Sequence, residues 1–508
     1  MTASDAAPTT LLGLLRAAPA AQVALIQPEA NIQVTYGALR QQVEGLADAL
    51  AAAGVSRGDR VGIALPNGIP AVVTFLAASM VGTAAPLNPA YKEEEFRFYL
   101  EDTSARLLLV PPDGAQEARR AAGDKVRVLA VEMDATGTVF VPGSGRSRSA
   151  EAPGVDDVAL ILHTSGSTGR PKRVPLKHAN LSISARNVAQ SYALTPDDVS
   201  LCVMPLFHVH GLVASTLGTL ATGGTVVVPA KFSPLSFWRV ARDHGATWYS
   251  AVPTIHQLLL ARADAAAGPP PGAERLRFIR SCSAPLLPPV MHGLEGAFGA
   301  PVLEAYGMTE AAHQMASNPL PPGTRKPGSV GPGTNVRISI MDGDGRHLAT
   351  GERGEVVIQG PNVIRGYENN PDANATSFAD GWFRTGDQGY LDADGYLTLV
   401  GRLKELINRG GEKVAPQEID QVLLTHPAVA EAVCFGVPHP TWGEEVAAVV
   451  VLRPDATATE AELVAHCKAH LIDYKRPKQV HIATAIPRTA TGKIQRRIVA
   501  QAFAAGPA

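Results

Sequence analysis

Short apolar runs alternate with amphipathic segments through the first four fifths of the chain. The runs have the length of buried strands and read VGIAL (61–65), RLLLVP (106–111), VALILHT (158–164), VSLCVMP (199–205), GTVVVPA (224–230) and LRFIRSC (276–282). Two other segments, YGALRQQVEGLADALAAAG (36–54) and SPLSFWRVARDHG (233–245), have the spacing of helices that bury one face. Because strand and helix patterns alternate, the sequence predicts an α/β fold with a largely parallel sheet.

One segment, residues 61–91, contains no charged residue and resembles a membrane span at first sight. A membrane helix needs about 20 uninterrupted apolar residues. Here Pro66, Gly68, Pro70 and Gly82 divide the segment into short pieces. We therefore predict a strand, a buried helix and a second strand, and no membrane partner.

The pattern changes near Val336 to short strands separated by Gly-Asp turns. After Arg402 two further strand patterns (428–438 and 443–454), a helix pattern (459–471) and a last strand pattern (479–487) follow. About a hundred residues is a common domain size. The sequence predicts a large α/β lobe of residues 1–401 and a small α+β domain of residues 402–508.

Charge and cysteine content exclude several classes of protein. Lys and Arg number 45 against 47 Asp and Glu, a net charge of -2, so the chain has no global field for nucleic acid or an anionic membrane. The four cysteines lack the paired spacing of a zinc site or a redox dithiol. We expect buried, reduced thiols, no secretory signal and a cytoplasmic protein.

The stretch ILHTSGSTGRPKRVP (161–175) follows a predicted strand and has the composition of an anion-binding loop. It is not a Walker A loop, because Arg170 and Pro171 separate Gly169 from Lys172. Its hydroxyls, its glycine amides and one lysine could still hold phosphate; they are Thr164, Ser165, Gly166, Ser167, Thr168, Gly169 and Lys172. From this segment alone, a solvated Ser/Gly loop remains an equal alternative.

Five motifs together resemble the acyl-adenylate-forming superfamily, which includes acyl-CoA synthetases. They are HTSGSTGRPKRV, EAYGMTE (304–310), FRTGD (383–387), GRLKELINRGGEKVAP (401–416) and PRTATGKIQRR (487–497). The resemblance implies a large N-terminal adenylation domain with several subdomains (1–401) and a small mobile C-terminal domain (402–508). Two residues depart from the family pattern: Arg173 replaces the usual glycine, and Phe383 replaces a frequent tyrosine.

The resemblance implies an ATP-dependent acid:CoA ligase. Such an enzyme forms an acyl-adenylate and then a thioester, and releases pyrophosphate and AMP. ATP, Mg²⁺ and coenzyme A are the expected cofactor and co-substrates, and a small carboxylate is the expected acid. Uniting two anions requires electrostatic neutralisation, so cationic and hydrogen-bond-donating groups are the expected catalytic parts.

The resemblance also assigns roles to single residues. Catalysis falls to Lys493, Thr309 and Glu310, with Glu310 holding Mg²⁺. Lys404 is the hinge residue about which the small domain turns to place Gly410, Gly411 and Glu412 along the CoA channel. Nucleotide contacts are assigned to Thr164, Ser165, Gly166, Ser167, Thr168, Gly169, Lys172, Ser283, Ala284, Pro285, Glu304, Ala305, Tyr306, Thr309, Asp387 and Arg402. Tyr306 and the 283–285 segment lie on opposite faces of the adenine, and Asp387 and Arg402 approach the ribose.

The acyl substrate is predicted from a cluster of histidines. His208, Ser283 and His313 resemble the acid-binding residues of the oxalate:CoA ligase group, whereas His210 is better interpreted as a packing or gating residue. A dianion without methylenes needs donors in a small pocket, which two imidazoles and a hydroxyl can supply. Oxalate is therefore the predicted acid. Malonate or another short acid, and an enzyme that loads a carrier protein, remain alternatives.

Overall fold

The computed structural model describes residues 9–16, 18–143, 149–164, 171–263, 268–488 and 494–503. The chain forms two compact units. The first consists of Met1–Arg337 and Ile358–Phe383, and the second of Ile338–Val357 and Arg384–Ala508. The domain boundary at 401/402 stays a prediction.

Strands form most of the framework of both units. In chain order they are β1 (Val23–Gln27), β2 (Ile32–Thr35), β3 (Arg60–Ile63), β4 (Thr83–Pro86), β5 (Ala105–Val110), β6 (Arg127–Ala130), β7 (Glu132–Met133), β8 (Val139–Phe140), β9 (Val158–Thr164), β10 (Lys172–Lys177), β11 (Val199–Leu201), β12 (Thr225–Val227), β13 (Trp248–Ala251), β14 (Phe278–Ser281), β15 (Val302–Met308), β16 (His313–Ser317), β17 (Arg337–Met341), β18 (Gly354–Gln359), β19 (Phe378–Ala379), β20 (Trp382–Leu391), β21 (Leu397–Arg402), β22 (Ile407–Arg409), β23 (Glu412–Val414), β24 (Val429–His439), β25 (Gly443–Leu452) and β26 (Gln479–Ala483).

Helices connect these strands. They are α1 (Leu11–Leu15), α2 (Tyr36–Ala52), α3 (Ile69–Val81), α4 (Glu93–Asp102), α5 (Gln116–Ala122), α6 (His178–Ser191), α7 (Gly218–Leu220), α8 (Phe237–Asp243), α9 (Pro253–Leu260), α10 (Pro288–Phe298), α11 (Pro371–Ser377), α12 (Pro416–Leu424), α13 (Glu460–His470) and α14 (Arg496–Phe503). A π-helix covers His210–Leu217, and short 3₁₀ turns cover Ala273–Arg275, Thr309–Ala311, Leu403–Glu405 and Asp473–Lys475.

Two sheets dominate the first unit. One has the strand order β16-β15-β14-β13-β11-β12-β1-β2, and the other β10-β9-β4-β3-β5-β6. Inner neighbours in both sheets are parallel, while the edge strands β2, β10 and β16 pair antiparallel. The predicted α/β fold with largely parallel strands is confirmed. The carboxyl ends of β13, β14 and β15 consequently lie along one edge of the larger sheet.

The uncharged segment 61–91 folds as predicted, into the strand β3, the helix α3 and the strand β4. Nearly every side chain of α3 is buried, which explains its lack of a polar face. No helix within the described ranges is long and apolar enough to span a membrane. All four cysteines are buried, which confirms the prediction of buried thiols.

The second unit contains a sheet of order β23-β22-β25-β24, with β26 parallel to β25. Its apolar side chains pack with those of α12 and α13 into a separate core. The strands and the helix predicted after Arg402 are thus confirmed. The sequence analysis did not identify the helices α12 and α14. A further sheet has the order β17-β18-β20-β19, with β21 paired to β20.

Candidate active site

The predicted phosphate motif lies at the end of an edge hairpin. β9 and β10 pair antiparallel, and this register places Thr164 opposite Lys172. The intervening motif residues Ser165, Gly166, Ser167, Thr168 and Gly169 lie outside the described residues. The two described residues of the motif that can contact an anion are therefore neighbours across the hairpin.

Glu310 lies next to the same hairpin although it is far away in the sequence. Its carboxylate is buried, and Oε1 accepts hydrogen bonds from Tyr367 Oη at 2.8 Å and from Thr164 Oγ1 at 3.4 Å. The Lys172 ammonium lies 4.4 Å from the centroid of the Tyr367 ring. Thr309 begins the 3₁₀ turn that carries Glu310. A cation, a carboxylate and hydroxyl groups thus converge beside the phosphate motif.

This donor set fits Mg²⁺ bound together with a nucleotide. Mg²⁺ prefers oxygen ligands and is usually held by one or two carboxylates plus substrate phosphates. Glu310 and Thr164 offer such oxygens. In the described part of the chain, no group of three His, Cys, Asp or Glu side chains could hold a metal ion alone. Glu310 is accordingly suited to a metal that also binds the phosphates.

The predicted adenine contacts lie at one edge of the larger sheet. β14 runs parallel to β15, with Ser281 opposite Glu304. Ser283 lies two residues beyond the carboxyl end of β14, and Tyr306 lies in the carboxyl-terminal half of β15. Burial raises the pKa of Glu304 to about 7, although its Oε1 accepts a hydrogen bond from the Leu286 amide at 3.1 Å. Ala284 and Pro285 are exposed and Tyr306 is buried.

Ser283, His210 and His313 form a compact polar group at this edge. His210 Nδ1 lies 3.1 Å from Ser283 Oγ, and the rings of His210 and His313 are 5.2 Å apart in a T-shaped arrangement. Both imidazoles are buried. Ser283 and His313 have φ angles of 74° and 107°, a region that residues with side chains rarely adopt. Such strain clusters at functional sites because the surrounding structure enforces it.

Two glycines allow this group to form. His210 begins a π-helix, an element frequent at functional sites. The next residue, Gly211, lies so close to the Pro205 carbonyl that a Cβ would be 2.5 Å from its oxygen. A Cβ at Gly307 would be 2.2 Å from the His313 carbonyl oxygen. Larger residues at these two positions would therefore displace the histidines.

Behind His210 the polar contacts continue to a buried arginine. His210 Nε2 lies 2.7 Å from Ser250 Oγ, and Arg280 Nη1 donates to the same oxygen at 2.9 Å. Arg280 also donates to Tyr192 Oη at 2.7 Å and to Gln314 Oε1 at 3.1 Å. Its side chain is 0% exposed. Neither Ser250 nor Arg280 was predicted as a site residue, because Arg280 belongs to a strand pattern and Ser250 to no recognised motif.

His208 differs from His210 in its surroundings. Its side chain is partly exposed, and its ring contacts Phe207 with a centroid distance of 4.9 Å. The substrate role predicted for His208 stays a prediction. His210, which the sequence favoured as a packing residue, contacts Ser283 and lies beside His313.

Arg173, the first departure from the family pattern, is held in a cluster of charges. Its Nη1 donates to the Asp102 carbonyl at 2.7 Å, and its guanidinium lies 3.4 Å from carboxylate oxygens of both Asp102 and Glu368. Glu368 pairs with Arg60, and His163 lies 3.0 Å from Asp102. Burial lowers the pKa of His163 despite this carboxylate. Arg173 thus anchors β10 and carries a compensated charge.

Phe383, the second departure, occupies an aromatic cluster. Its buried ring contacts Phe378 with a centroid distance of 5.3 Å and Tyr367 with a centroid distance of 6.3 Å. Its position therefore suits an apolar ring.

In the second unit, the two predicted ribose contacts face each other. Asp387 on β20 lies opposite Arg402 on β21, and Asp387 Oδ1 is 3.1 Å from Arg402 Nε. Asp387 thus lies within a strand.

The predicted CoA-channel residues form the turn between β22 and β23. Gly410 and Gly411 both have positive φ and connect Arg409 to Glu412, as a tight two-residue hairpin requires. Lys404 is exposed on the 3₁₀ turn that precedes β22. Lys493 lies outside the described residues.

Comparison with known proteins identifies the family. The model described as AMP-binding enzyme matches residues 15–368, and the model described as AMP-binding enzyme C-terminal domain matches residues 418–493. The described fold agrees with this match, and the predicted superfamily is confirmed.

Relatives match along nearly the whole chain. An oxalate–CoA ligase of Arabidopsis thaliana is 48% identical over 94% of this chain and 95% of its own. An oxalate–CoA ligase of Saccharomyces cerevisiae is 44% identical over 95% of both chains. The crystal structure of ATP-bound MatB from Rhodopseudomonas palustris superimposes with a TM-score of 0.90 at 31% identity, over 98% of this chain and 99% of that one. With these matches, the chain belongs to the AMP-binding enzyme family, whose fold it has.

Proposed function

We propose that this protein is an ATP-dependent oxalate:CoA ligase. The observation that carries the proposal is the contact of Ser283 with His210 beside His313, because it brings a partly buried hydroxyl together with two buried imidazoles. Two relatives named oxalate–CoA ligase support the same acid. A long-chain acid would instead require an apolar pocket.

The reaction proceeds in two steps. In the first, a carboxylate oxygen of oxalate attacks the α-phosphorus of ATP and pyrophosphate leaves. In the second, the thiol of coenzyme A attacks the acyl carbon, loses its proton, and AMP leaves. ATP and CoA are thus co-substrates, and Mg²⁺ neutralises phosphate charge when bound.

Residues beside the edge hairpin are assigned to the first step. Lys172 and the loop 165–170 would bind phosphate oxygens, and Glu310, which lies beside Thr164, would hold Mg²⁺ together with those phosphates. Thr309 donates a hydrogen bond to the α-phosphate, and Lys493 neutralises the two reacting anions. In the second unit, Asp387 and Arg402 bind the ribose.

The substrate assignment is tested with a panel of acids. Pyrophosphate release is measured with oxalate, malonate, acetate and octanoate at equal concentrations, with CoA present and absent. We expect the highest kcat/KM with oxalate. A clear preference for malonate would favour that rival acid, and a preference for octanoate would refute a polar acyl pocket.

The two steps are separated by the Lys493→Ala variant. We expect adenylation to fall by about 10²- to 10³-fold, the size of effect that loss of one electrostatic group produces. Thioester formation from a supplied acyl-adenylate should persist, because in the proposed mechanism the small domain (402–508) turns about Lys404 and presents Gly410, Gly411 and Glu412 instead. Equal loss in both steps would refute this alternation.

A further experiment tests whether the acyl group is transferred to free CoA or to a carrier protein. Thioester formation with CoA is compared with transfer to a phosphopantetheinylated carrier protein. We expect product with CoA alone. We also propose that the protein is cytoplasmic.

A further inference from the structure

Arg280 is fully buried in the interior of the first unit, and its guanidinium has no exposed surface. Its hydrogen-bond acceptors are a phenol, a hydroxyl and an amide oxygen, from Tyr192, Ser250 and Gln314. Among residues 9–488 that are described, no Asp or Glu forms an ion pair with it. Arginine does not lose its proton in proteins, so the site contains a permanent positive charge.

A buried charge without a counter-ion is costly, and proteins normally pair such groups. The neutral acceptors of Arg280 satisfy its hydrogen bonds but leave its charge uncompensated. An anion that binds nearby would interact strongly with this charge, because the surrounding interior screens it poorly. The position of Arg280 behind the acyl pocket therefore suggests that the missing anion is the substrate.

The direction of each hydrogen bond follows from the chemistry of the donors. Arg280 can only donate, so Ser250 Oγ accepts from it. The Ser250 hydroxyl is fully buried, and His210 Nε2 lies 2.7 Å from it as an acceptor for its own proton. Because a buried proton needs an acceptor, Ser250 donates to His210.

This donation fixes the state of the imidazole. A ring that accepts at Nε2 is neutral and carries its proton on Nδ1. His210 Nδ1 then donates to Ser283 Oγ, at 3.1 Å. With its oxygen occupied as an acceptor, Ser283 directs its own proton to a different partner. A protonated imidazole would place a second cation next to the oxygen that Arg280 already uses.

We infer that Arg280 is a positioning residue that makes the acyl pocket selective for a doubly charged acid. It does so through the chain Arg280, Ser250, His210 and Ser283, which turns the Ser283 hydroxyl proton towards the distal carboxylate. The charge of Arg280 attracts this carboxylate, and His210 remains neutral. The inference rests on the proposed function, since it explains how oxalate is chosen.

The experiment compares two ligands of equal size and different charge. Oxalate carries two negative charges, and oxamate has an amide in place of one carboxylate. The KM for oxalate and the inhibition constant of oxamate are measured for the wild type and for Arg280→Met. We expect the KM for oxalate to rise about tenfold or more, and the oxamate constant to change by less than about threefold. The kcat at saturating oxalate should change less than KM.

Two further variants keep the test decisive if Arg280→Met folds poorly. Arg280→Lys retains the charge and should recover most of the preference for oxalate over oxamate. Ser250→Ala breaks the chain but keeps the guanidinium, and should raise the KM for oxalate by about threefold to tenfold. If Arg280→Lys prefers oxalate over oxamate no more than Arg280→Met does, the proposed role of the positive charge is contradicted.

The matched control is Arg277→Met, three residues earlier in the chain. Arg277 pairs with Asp198 at 2.6 Å, so its charge is compensated. We expect its loss to leave the ratio of the oxalate and oxamate constants unchanged. Equal changes for both ligands in Arg280→Met would overturn the inference while oxalate activation by the wild type still upheld the proposed function. Failure of the wild type to activate oxalate would instead overturn the proposed function.

Discussion

Arg173, which is partly buried, and Arg280, which is fully buried, belong to the same unit, and their surroundings differ in one respect. Arg173 lies 3.4 Å from carboxylate oxygens of Asp102 and Glu368, whereas Arg280 is surrounded by neutral acceptors. The first arginine is part of a cluster of opposite charges and follows Lys172 at the loop end of the edge hairpin β9–β10. The second contacts Ser250, which in turn contacts His210 in the predicted acyl site.

The difference indicates how buried charge relates to function. Removing one partner of a buried ion pair destabilises a protein because the other charge remains uncompensated. Such a pair has no need of a ligand. A buried charge without a counter-ion is completed by a ligand of opposite sign. We therefore expect variants at the Arg173 cluster to affect stability, and variants along the Arg280 chain to affect substrate preference.

The largest expected effect concerns Glu310, a buried carboxylate of the same unit. Its buried carboxylate is contacted by the hydroxyls of Tyr367 and Thr164 and is assigned to Mg²⁺. Glu310→Gln keeps the shape of the side chain and removes the charge. We expect kcat/KM for pyrophosphate release to fall about 10³-fold, or about 4 kcal/mol, and the Mg²⁺ concentration for half-maximal rate to rise.

Glu368→Gln is the control for this variant, since Glu368 belongs to the Arg173 cluster. Its half-maximal Mg²⁺ concentration should match the wild type. If the half-maximal Mg²⁺ concentration rises equally in both variants, the assignment of Mg²⁺ to Glu310 rather than to Glu368 is contradicted.

Glu304 shows a third way in which a buried ionisable group is accommodated. Its carboxyl group binds a proton and becomes neutral. Burial raises its pKa from 4.5 to about 7. Between these values the folded protein holds a proton that the unfolded chain has released, so stability falls as the pH rises through this window. Glu304→Gln removes this loss. We expect its free energy of unfolding, relative to wild type, to be higher at pH 8 than at pH 5 by about 3 kcal/mol.

Urea denaturation at the two pH values measures this difference. The variant Glu94→Gln, at an exposed position, is the control and should show the same pH dependence as wild type. A wild-type stability that does not decline between pH 5 and pH 8 relative to Glu304→Gln would contradict a neutral Glu304.

The strands and the order of motifs could be predicted from the sequence because they depend on local patterns. Periodicity identified β9 and β14, and the motif after β9 placed Thr164 and Lys172 near one another. The strand β10 was missed, because KRVPLK contains a proline and alternates only weakly. An edge position tolerates this proline.

The contacts of the acyl pocket could not be predicted in the same way. His210 and Ser283 are separated by 73 residues, and Ser250 and Arg280 by 30. Their contacts depend on the lateral order of strands in the sheet, which the period of a single strand does not encode. Arg280 occupies a buried strand pattern, where a charged residue is the one available signal of function.

Ser283 is the end of the Arg280 chain nearest to the predicted substrate. Ser283→Ala removes the hydroxyl and leaves Arg280 in place. We expect kcat/KM for oxalate to fall about 10²-fold, or about 2.7 kcal/mol, because a charged substrate group loses a donor. Ser281→Ala, two residues earlier on β14, is the control and should stay within about threefold of wild type. A smaller effect at Ser283 than at Ser281 would exclude Ser283 from the acyl site.

The smallest expected effect is at Arg173, and it tests the other half of the comparison. Arg173→Met keeps the aliphatic stem and removes the charge, which leaves Asp102 and Glu368 with fewer cationic partners. We expect a loss of about 2 kcal/mol of stability, below the full cost of a deeply buried pair because the side chain is 16% exposed. Thermal denaturation measures this loss. The ratio of the oxalate and oxamate constants should equal that of wild type, because the Arg173 charge is already compensated. A change in that ratio with unchanged stability would mean that both arginines act on the substrate.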